Sequence, residues 1–153
     1  VPRPDDLTSD RGSLATQDEG PAVRAIHSAA NPAKDISLAI LISFDIDGTL
    51  EFGDPPGGIT LEMVKRAQEL GFLIGSCSDR FPSAQKSLWE ARDIQVDFVA
   101  AKHMLPDIRQ RFEADIYVHI GDRDLDRQLA EQAGFQFLWD HEGEAEPWLE
   151  WVK

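Results

Sequence analysis

From Ile36 onward the apolar positions switch repeatedly between two periodicities. Leu38–Phe44 (LAILISF) is an almost unbroken apolar run, the pattern of a strand buried on both faces. Met63, Val64, Ala67 and Leu70 then recur at helical spacing, with Thr60 placed to cap that helix and Gly71 to stop it. Phe72–Cys77 reads as a second strand, and Pro82–Arg92 as a helix with Pro82 in its first turn. Val96–Ala100 is a third strand, followed by a helix over Met104–Phe112 that must hold Pro106 in its first turn. Ile116–Ile120 is a fourth strand. Asp124–Ala133 is a helix turning Leu125, Leu129, Ala130 and Ala133 inward, stopped by Gly134. Gln136–Trp139 is a fifth strand, and Glu144–Val152 a last helix. Strand and helix alternating in this way predict an α/β fold with an open parallel sheet covered on both faces.

Residues 1 to about 35 break the pattern: they are rich in Pro, Asp, Ser, Ala and Gly, and their large apolar residues are sparse. The expectation is a flexible tail, with one short helix near Ala22 to Ala30, ahead of a single domain over 36–153. An arm packed on the domain or on a partner is the alternative. The chain begins at Val1 rather than Met, as a trimmed chain or a fragment would.

Charge and cysteine usage narrow the function classes. The net charge of -13 comes with no basic stripe, which disfavours a nucleic-acid partner. No apolar run reaches the roughly 18–20 residues of a membrane helix, and no secretory apolar region stands near the start. Cys77 is the only cysteine, so no intrachain disulfide forms, and a cytoplasmic location is expected.

Open parallel sheets bind ligands beyond the carboxyl ends of their strands. Those ends carry Asp45-Ile46-Asp47-Gly48-Thr49-Leu50, then Ser76-Cys77-Ser78-Asp79-Arg80, then Lys102, then Gly121-Asp122-Arg123-Asp124-Leu125-Asp126. Asp45 and Asp47, two positions apart, project to the same side. Adding Asp122 leaves negative charge that a hard divalent cation would balance, and Mg²⁺ suits a few carboxylates, water and a substrate phosphate. Lys102 then neutralises an incoming phosphoryl group and Ser78 donates a hydrogen bond to it, with Ser76 the alternative donor. Asp45 is placed to attack phosphorus and form an aspartyl-phosphate. Asp47 is placed to protonate the leaving oxygen and then to deprotonate the attacking water. Crowding by other carboxylates is expected to keep a proton on Asp47.

DIDGTL after an apolar strand resembles the DxDGT signature of the haloacid dehalogenase-like (HAD) hydrolase superfamily. Ser78, Lys102 and GDRDLD at 121–126 stand in the order of that superfamily's later motifs, and AGF at 133–135 fits as well. The resemblance implies a three-layer Rossmann-like fold with a five-stranded, mainly parallel sheet. It implies Asp45 as nucleophile and metal ligand, and Asp47 as acid/base lending its backbone carbonyl to the metal. Asp122 becomes a metal ligand, Asp126 a support for the metal shell or for Lys102, and Gly48 and Thr49 supporting parts of the first motif. The acid at 47 points to phosphatase or phosphomutase chemistry, because relatives that cleave carbon–halogen bonds and ion-pumping ATPases lack it. Asp79 departs from the commoner Gly.

Only GTLEFGDPPGGI separates Asp47 from the Thr60 helix, and Lys102 follows the third strand at once, so no cap domain fits at either place. A minimal-cap member is expected, its open pocket completed by a large substrate or by a neighbouring copy in a homo-oligomer. The substrate is expected to be a phosphorylated small molecule or macromolecule, with Arg80, His103 and Arg123 as candidate contacts. His119 and His141 lack metal-ligand spacing and read as structural or exposed. A thiol phosphatase needs an arginine where Ser83 stands, so Cys77 reads as a small buried residue. Trp89, Trp139, Trp148 and Trp151 read as packing residues. Two other functions use similar parts: a receiver-type phosphoacceptor domain, whose acidic pair precedes the attacked Asp, and a catalytically idle scaffold that binds a protein partner.

Overall fold

A computed structural model describes residues 38–152, so the expected tail and its short helix lie outside the described residues. The strands are β1 (Ile40–Phe44), β2 (Leu73–Ser78), β3 (Phe98–Ala101), β4 (Ile116–Gly121) and β5 (Gln136–Trp139). The longer helices are α1 (Leu61–Glu69), α2 (Pro82–Ala91), α3 (Leu105–Arg111) and α4 (Asp124–Gln132). Two single turns, α5 (Asp140–Gly143) and α6 (Trp148–Trp151), close the described chain. All four strand pairings are parallel, in the order β3-β2-β1-β4-β5. This is a Rossmann-like, three-layer α/β architecture. Among the described residues, no helix is long and apolar enough to cross a membrane.

The alternating strand faces build two cores. Ile40, Ile42, Phe44, Ile74, Val118 and Ile120 pack with Val64, Ala67, Trp89 and Trp148 from α1, α2 and α6. Leu41, Leu73, Cys77, Phe98 and Ala100 pack with Leu105, Ile108, Ala130 and Ala133 from α3 and the end of α4. β1 carries apolar side chains to both layers, which is why it reads as a run rather than an alternation.

Local signals fix the ends of several elements. Thr60 Oγ1 accepts a hydrogen bond from Met63 N at 3.2 Å and caps α1. Gly71 and Gly134 end the turns after α1 and α4 with φ of 90° and 84°. Three expectations need correction. Leu70 and Leu125 are 43% and 48% exposed, because Leu70 falls on the cap after the last turn and Leu125 in a first turn at the sheet edge. Met104 belongs to a short 3₁₀ turn, Lys102–Met104, ahead of α3. The single helix expected over Glu144–Val152 is broken: Glu146 takes φ 50° and Pro147 lacks an N–H to continue α5 into α6.

This topology positions the strand ends. The chain builds outward from β1 to β2 and β3, then crosses back to lay β4 on the other side of β1. The reversal opens a crevice between the carboxyl ends of β1 and β4, where such sheets bind ligands. Phe44 pairs in register with Ile120, and Asp45 N donates to Ile120 O at 2.8 Å. The acidic segments beginning at Asp45 and Gly121 are thereby held side by side. The β1–α1 connection folds into a small turn-rich flap with a bridge between Leu50 and Ile59. Among the described residues no separate domain is inserted there or after β3.

Candidate functional site

Asp45, Asp122 and Asp126 each offer a carboxylate oxygen within 4.8 Å of the other two. Asp45 follows β1, Asp122 follows β4, and Asp126 lies in the first turn of α4. Close approach of these segments depends on glycine. Gly48 takes φ 78°, and a Cβ there would overlap the Asp122 carboxylate. A Cβ at Gly121 would overlap the side chain of Asp126 in the same way.

Lys102 enters this cluster from the end of β3 and is almost wholly buried. Its Nζ lies 2.9 Å from Asp126 Oδ1, 3.3 Å from Asp45 Oδ2 and 3.7 Å from Asp79 Oδ2. Burial alone would lower its pKa, but Asp45 and Asp126 outweigh burial and hold it as an ammonium. Asp126 is likewise pushed up by burial and pulled down more strongly by donors from His119 and Lys102, so it is held ionised. Asp45 moves the other way: burial and the Asp126 charge push its pKa up to about 7. Burial and Asp126 also raise Asp122.

The oxygens differ in how they are satisfied. Asp126 Oδ1 accepts from Lys102 and from His119 Nε2 at 3.2 Å, and its Oδ2 accepts from Arg123 N at 3.2 Å. Asp45 Oδ1 accepts from Ile46 N at 2.8 Å. Asp122 Oδ1 is buried and has no hydrogen-bond partner. An unpartnered buried acceptor costs about 1–3 kcal/mol, and more when charged. With all three carboxylates ionised, the one ammonium would leave two negative charges, which one divalent cation would balance; without a cation, protonation of Asp45 relieves part of that excess. The cluster therefore fits a hard divalent cation, with Asp122 Oδ1 its open ligand atom.

The other sequence-selected residues surround this cluster or lie apart from it. The Asp47 carboxylate turns away, accepting from Arg80 Nη2 at 2.8 Å, Arg80 Nε at 3.0 Å and Asp54 N at 2.8 Å. Burial is the largest single influence and raises its pKa, but the Arg80 contacts and the Asp54 amide together outweigh it and lower the pKa. Burial, with carboxylate crowding second, raises Asp45 and Asp122 instead, and the expectation that crowding would keep a proton on Asp47 is corrected. Ser78 is buried at the end of β2, where its Oγ accepts from Arg80 N at 2.9 Å and keeps its own O–H to donate. Ser76 Oγ donates to Gln85 Oε1 at 2.6 Å and accepts from Trp89 Nε1 at 2.9 Å, so its hydroxyl is committed to the core. Thr49 is buried in the flap beside this site. His103 and Arg123 are exposed, and Arg123 joins the site through its backbone amide. Cys77 is buried and its thiol is pushed up to about 12 by burial, which keeps it un-ionised. Trp89 and Trp148 are fully buried, as packing residues should be.

One residue expected to be structural or exposed also contacts the site. His119, on β4, is fully buried and contacts Asp126 directly. Its signal was positional: two residues before Gly121, it faces the same side of the sheet as the turn that carries Asp126.

Comparison of the chain with protein-family profiles, with curated proteins and with solved structures returns no match.

Proposed function

We propose that this protein is a divalent-cation-dependent phosphomonoester hydrolase of HAD type, with Asp45 as its nucleophile. The observation that carries this reading is the convergence of Asp45, Asp122 and Asp126 within 4.8 Å, with Lys102 buried among them and Asp122 Oδ1 left unpartnered. Asp45 and Asp122, with the backbone carbonyl of Asp47, would hold the cation, while Asp126 is already engaged by Lys102 and His119. We assign Mg²⁺, which binds few carboxylates and keeps positions for water and phosphate. When bound, the cation supplies charge neutralisation and orientation for the phosphoryl oxygens.

The chain's own groups then divide the work. Lys102 and the O–H of Ser78 bind phosphoryl oxygens. Asp45 attacks phosphorus, and the bond to the leaving oxygen breaks with its electron pair staying on that oxygen. Released when Arg80 turns to the substrate phosphate, the Asp47 carboxylate takes up a proton from solvent and passes it to the leaving oxygen. Water then attacks phosphorus and passes a proton to Asp47, and the Asp45–phosphorus bond returns its pair to the carboxylate. The products are the alcohol and inorganic phosphate. The small flap does not cover the site, and a phosphorylated macromolecule or a neighbouring copy of the chain would close the mouth.

The observed strand order also counts against the receiver alternative, whose doubly wound sheet runs 2-1-3-4-5 rather than 3-2-1-4-5. Turnover of p-nitrophenyl phosphate separates the readings. We expect hydrolysis that requires Mg²⁺, stops with EDTA, and is lost in Asp45→Asn. Slow, stable phosphorylation without turnover would favour a phosphoacceptor, and inertness toward every phosphate donor would favour a scaffold.

A further inference from the structure

His119 is a buried titratable residue with no part in the steps above. Its Nδ1 lies 2.9 Å from Ser43 Oγ and its Nε2 3.2 Å from Asp126 Oδ1. Ser43 and His119 are paired residues of adjacent strands β1 and β4, so the sheet ladder fixes their separation. The partners determine the tautomer. Asp126 receives the Lys102 ammonium on Oδ1 and a backbone amide on Oδ2, so it is a carboxylate that can only accept. Nε2 must therefore carry the ring proton. In a neutral ring Nδ1 is then the acceptor, and Ser43 donates its O–H to it. Burial lowers the ring's pKa and keeps it neutral. Every group in the chain Ser43–His119–Asp126–Lys102–Asp45 thus has a fixed donor or acceptor role.

We propose that His119 is a positioning residue: anchored by Ser43, it fixes the Asp126 carboxylate and thereby sets where the Lys102 ammonium stands relative to Asp45. The role rests on the phosphatase reading only for its catalytic consequence. Without the Nε2–H donor, Asp126 Oδ1 keeps Lys102 as its one partner, and only the Arg123 amide on Oδ2 still opposes rotation of the carboxylate toward the cation position. Outer hydrogen-bond partners of this kind typically change metal affinity or activity by about 10–100-fold.

The test uses the full chain with ¹⁵N-labelled histidine and lysine, two His119 variants, and Lys102→Arg for assignment. In the unsubstituted protein the His119 ring should show the Nε2–H tautomer at neutral pH; an Nδ1–H tautomer or an imidazolium would overturn the proposal without any variant needing to fold. In His119→Leu the Lys102 Nζ resonance, assigned with Lys102→Arg, should move, and kcat for p-nitrophenyl phosphate should fall on the order of tenfold with KM little changed. His119→Gln, which restores an N–H near the Nε2 position, should return both toward the starting values. A Leu variant that melts earlier yet leaves the Lys102 resonance and kcat in place would make His119 merely structural. Absence of turnover in the unsubstituted protein would sink the phosphatase reading, while the tautomer and the Lys102 resonance would still decide the positioning chain.

Discussion

Arg80 grips Asp47 with two guanidinium nitrogens, Nη2 at 2.8 Å from Oδ1 and Nε at 3.0 Å from Oδ2. The residue whose proposed task is to donate a proton is thus held as an anion, outside the carboxylate cluster. Arg80 also places its backbone N–H on Ser78, so one residue touches both the proposed acid/base and the proposed phosphate-binding hydroxyl. A substrate phosphate that competes for the guanidinium would release Asp47 as it binds.

The first prediction follows from this grip. Arg80→Gln removes the contacts that lower the Asp47 pKa, so Asp47 should hold its proton to higher pH. The alkaline limb of the kcat/KM profile, which reports the free enzyme, should move up in pH. KM for a phosphate ester should rise several-fold, on the order of the 1–2 kcal/mol lost with a charged hydrogen bond at a half-exposed site. Steady-state kinetics across pH, with and without the substitution, give both readings. An unchanged alkaline limb would mean that Arg80 does not govern Asp47.

A second prediction concerns stability. The Asp45 pKa is raised from 3.8 to about 7 in the folded protein. Between those values the folded state holds a proton that the unfolded chain has released, so this group's contribution to stability falls as pH rises through that window. Asp45→Asn removes the effect. At pH 8, without divalent cation, it should raise stability by about 1–3 kcal/mol while abolishing turnover. Thermal melting with EDTA checks it, and a lower melting point for the variant would contradict it.

Cation binding should share that pH dependence with opposite consequence. A cation displaces the Asp45 proton, so Mg²⁺ affinity should climb as pH rises through about 7 and level off above it. At a free concentration a hundredfold above the dissociation constant, Mg²⁺ should stabilise the fold by about 2.7 kcal/mol. Asp122→Asn, which alters the unpartnered carboxylate, should lose most of that gain. Melting curves over a Mg²⁺ series at three pH values measure all of this.

Gly48→Ala is the sharpest test of the close approach. The positive φ of 78° strains any side chain there, and the added methyl would displace the Asp122 carboxylate. The backbone cost alone is about 1–3 kcal/mol. Turnover and the Mg²⁺ melting shift should both disappear in a protein whose circular dichroism stays folded.

Much of this was legible in the chain. The apolar run before Asp45, the Thr60 cap and the Gly71 and Gly134 stops act locally, so pattern alone places β1, α1 and α4 to within a few residues. The gathering of Asp45, Lys102 and Asp122 at one edge follows once the sheet is parallel. What the pattern did not carry was the direction of side chains whose partners come from distant elements. Asp47 meets Arg80 across two strand ends, and His119 meets Asp126 only because α4 starts hard against β4. Leu125 has the right helical period to be buried, but its turn stands at the sheet edge and nearly half of it meets solvent. The break before α6 needed the left-handed backbone at Glu146, which few non-glycine residues adopt.

The account depends most on the bond that Asp45 is proposed to form. Acid-quenching the protein during turnover with Mg²⁺ and a reactive phosphate ester, then reducing with borohydride, converts an aspartyl-phosphate to homoserine that peptide mass spectrometry can locate. Homoserine at position 45, absent when Mg²⁺ is withheld, is the predicted result. Sustained phosphate release with Asp45 recovered unmodified, or with the label on another residue, would contradict it.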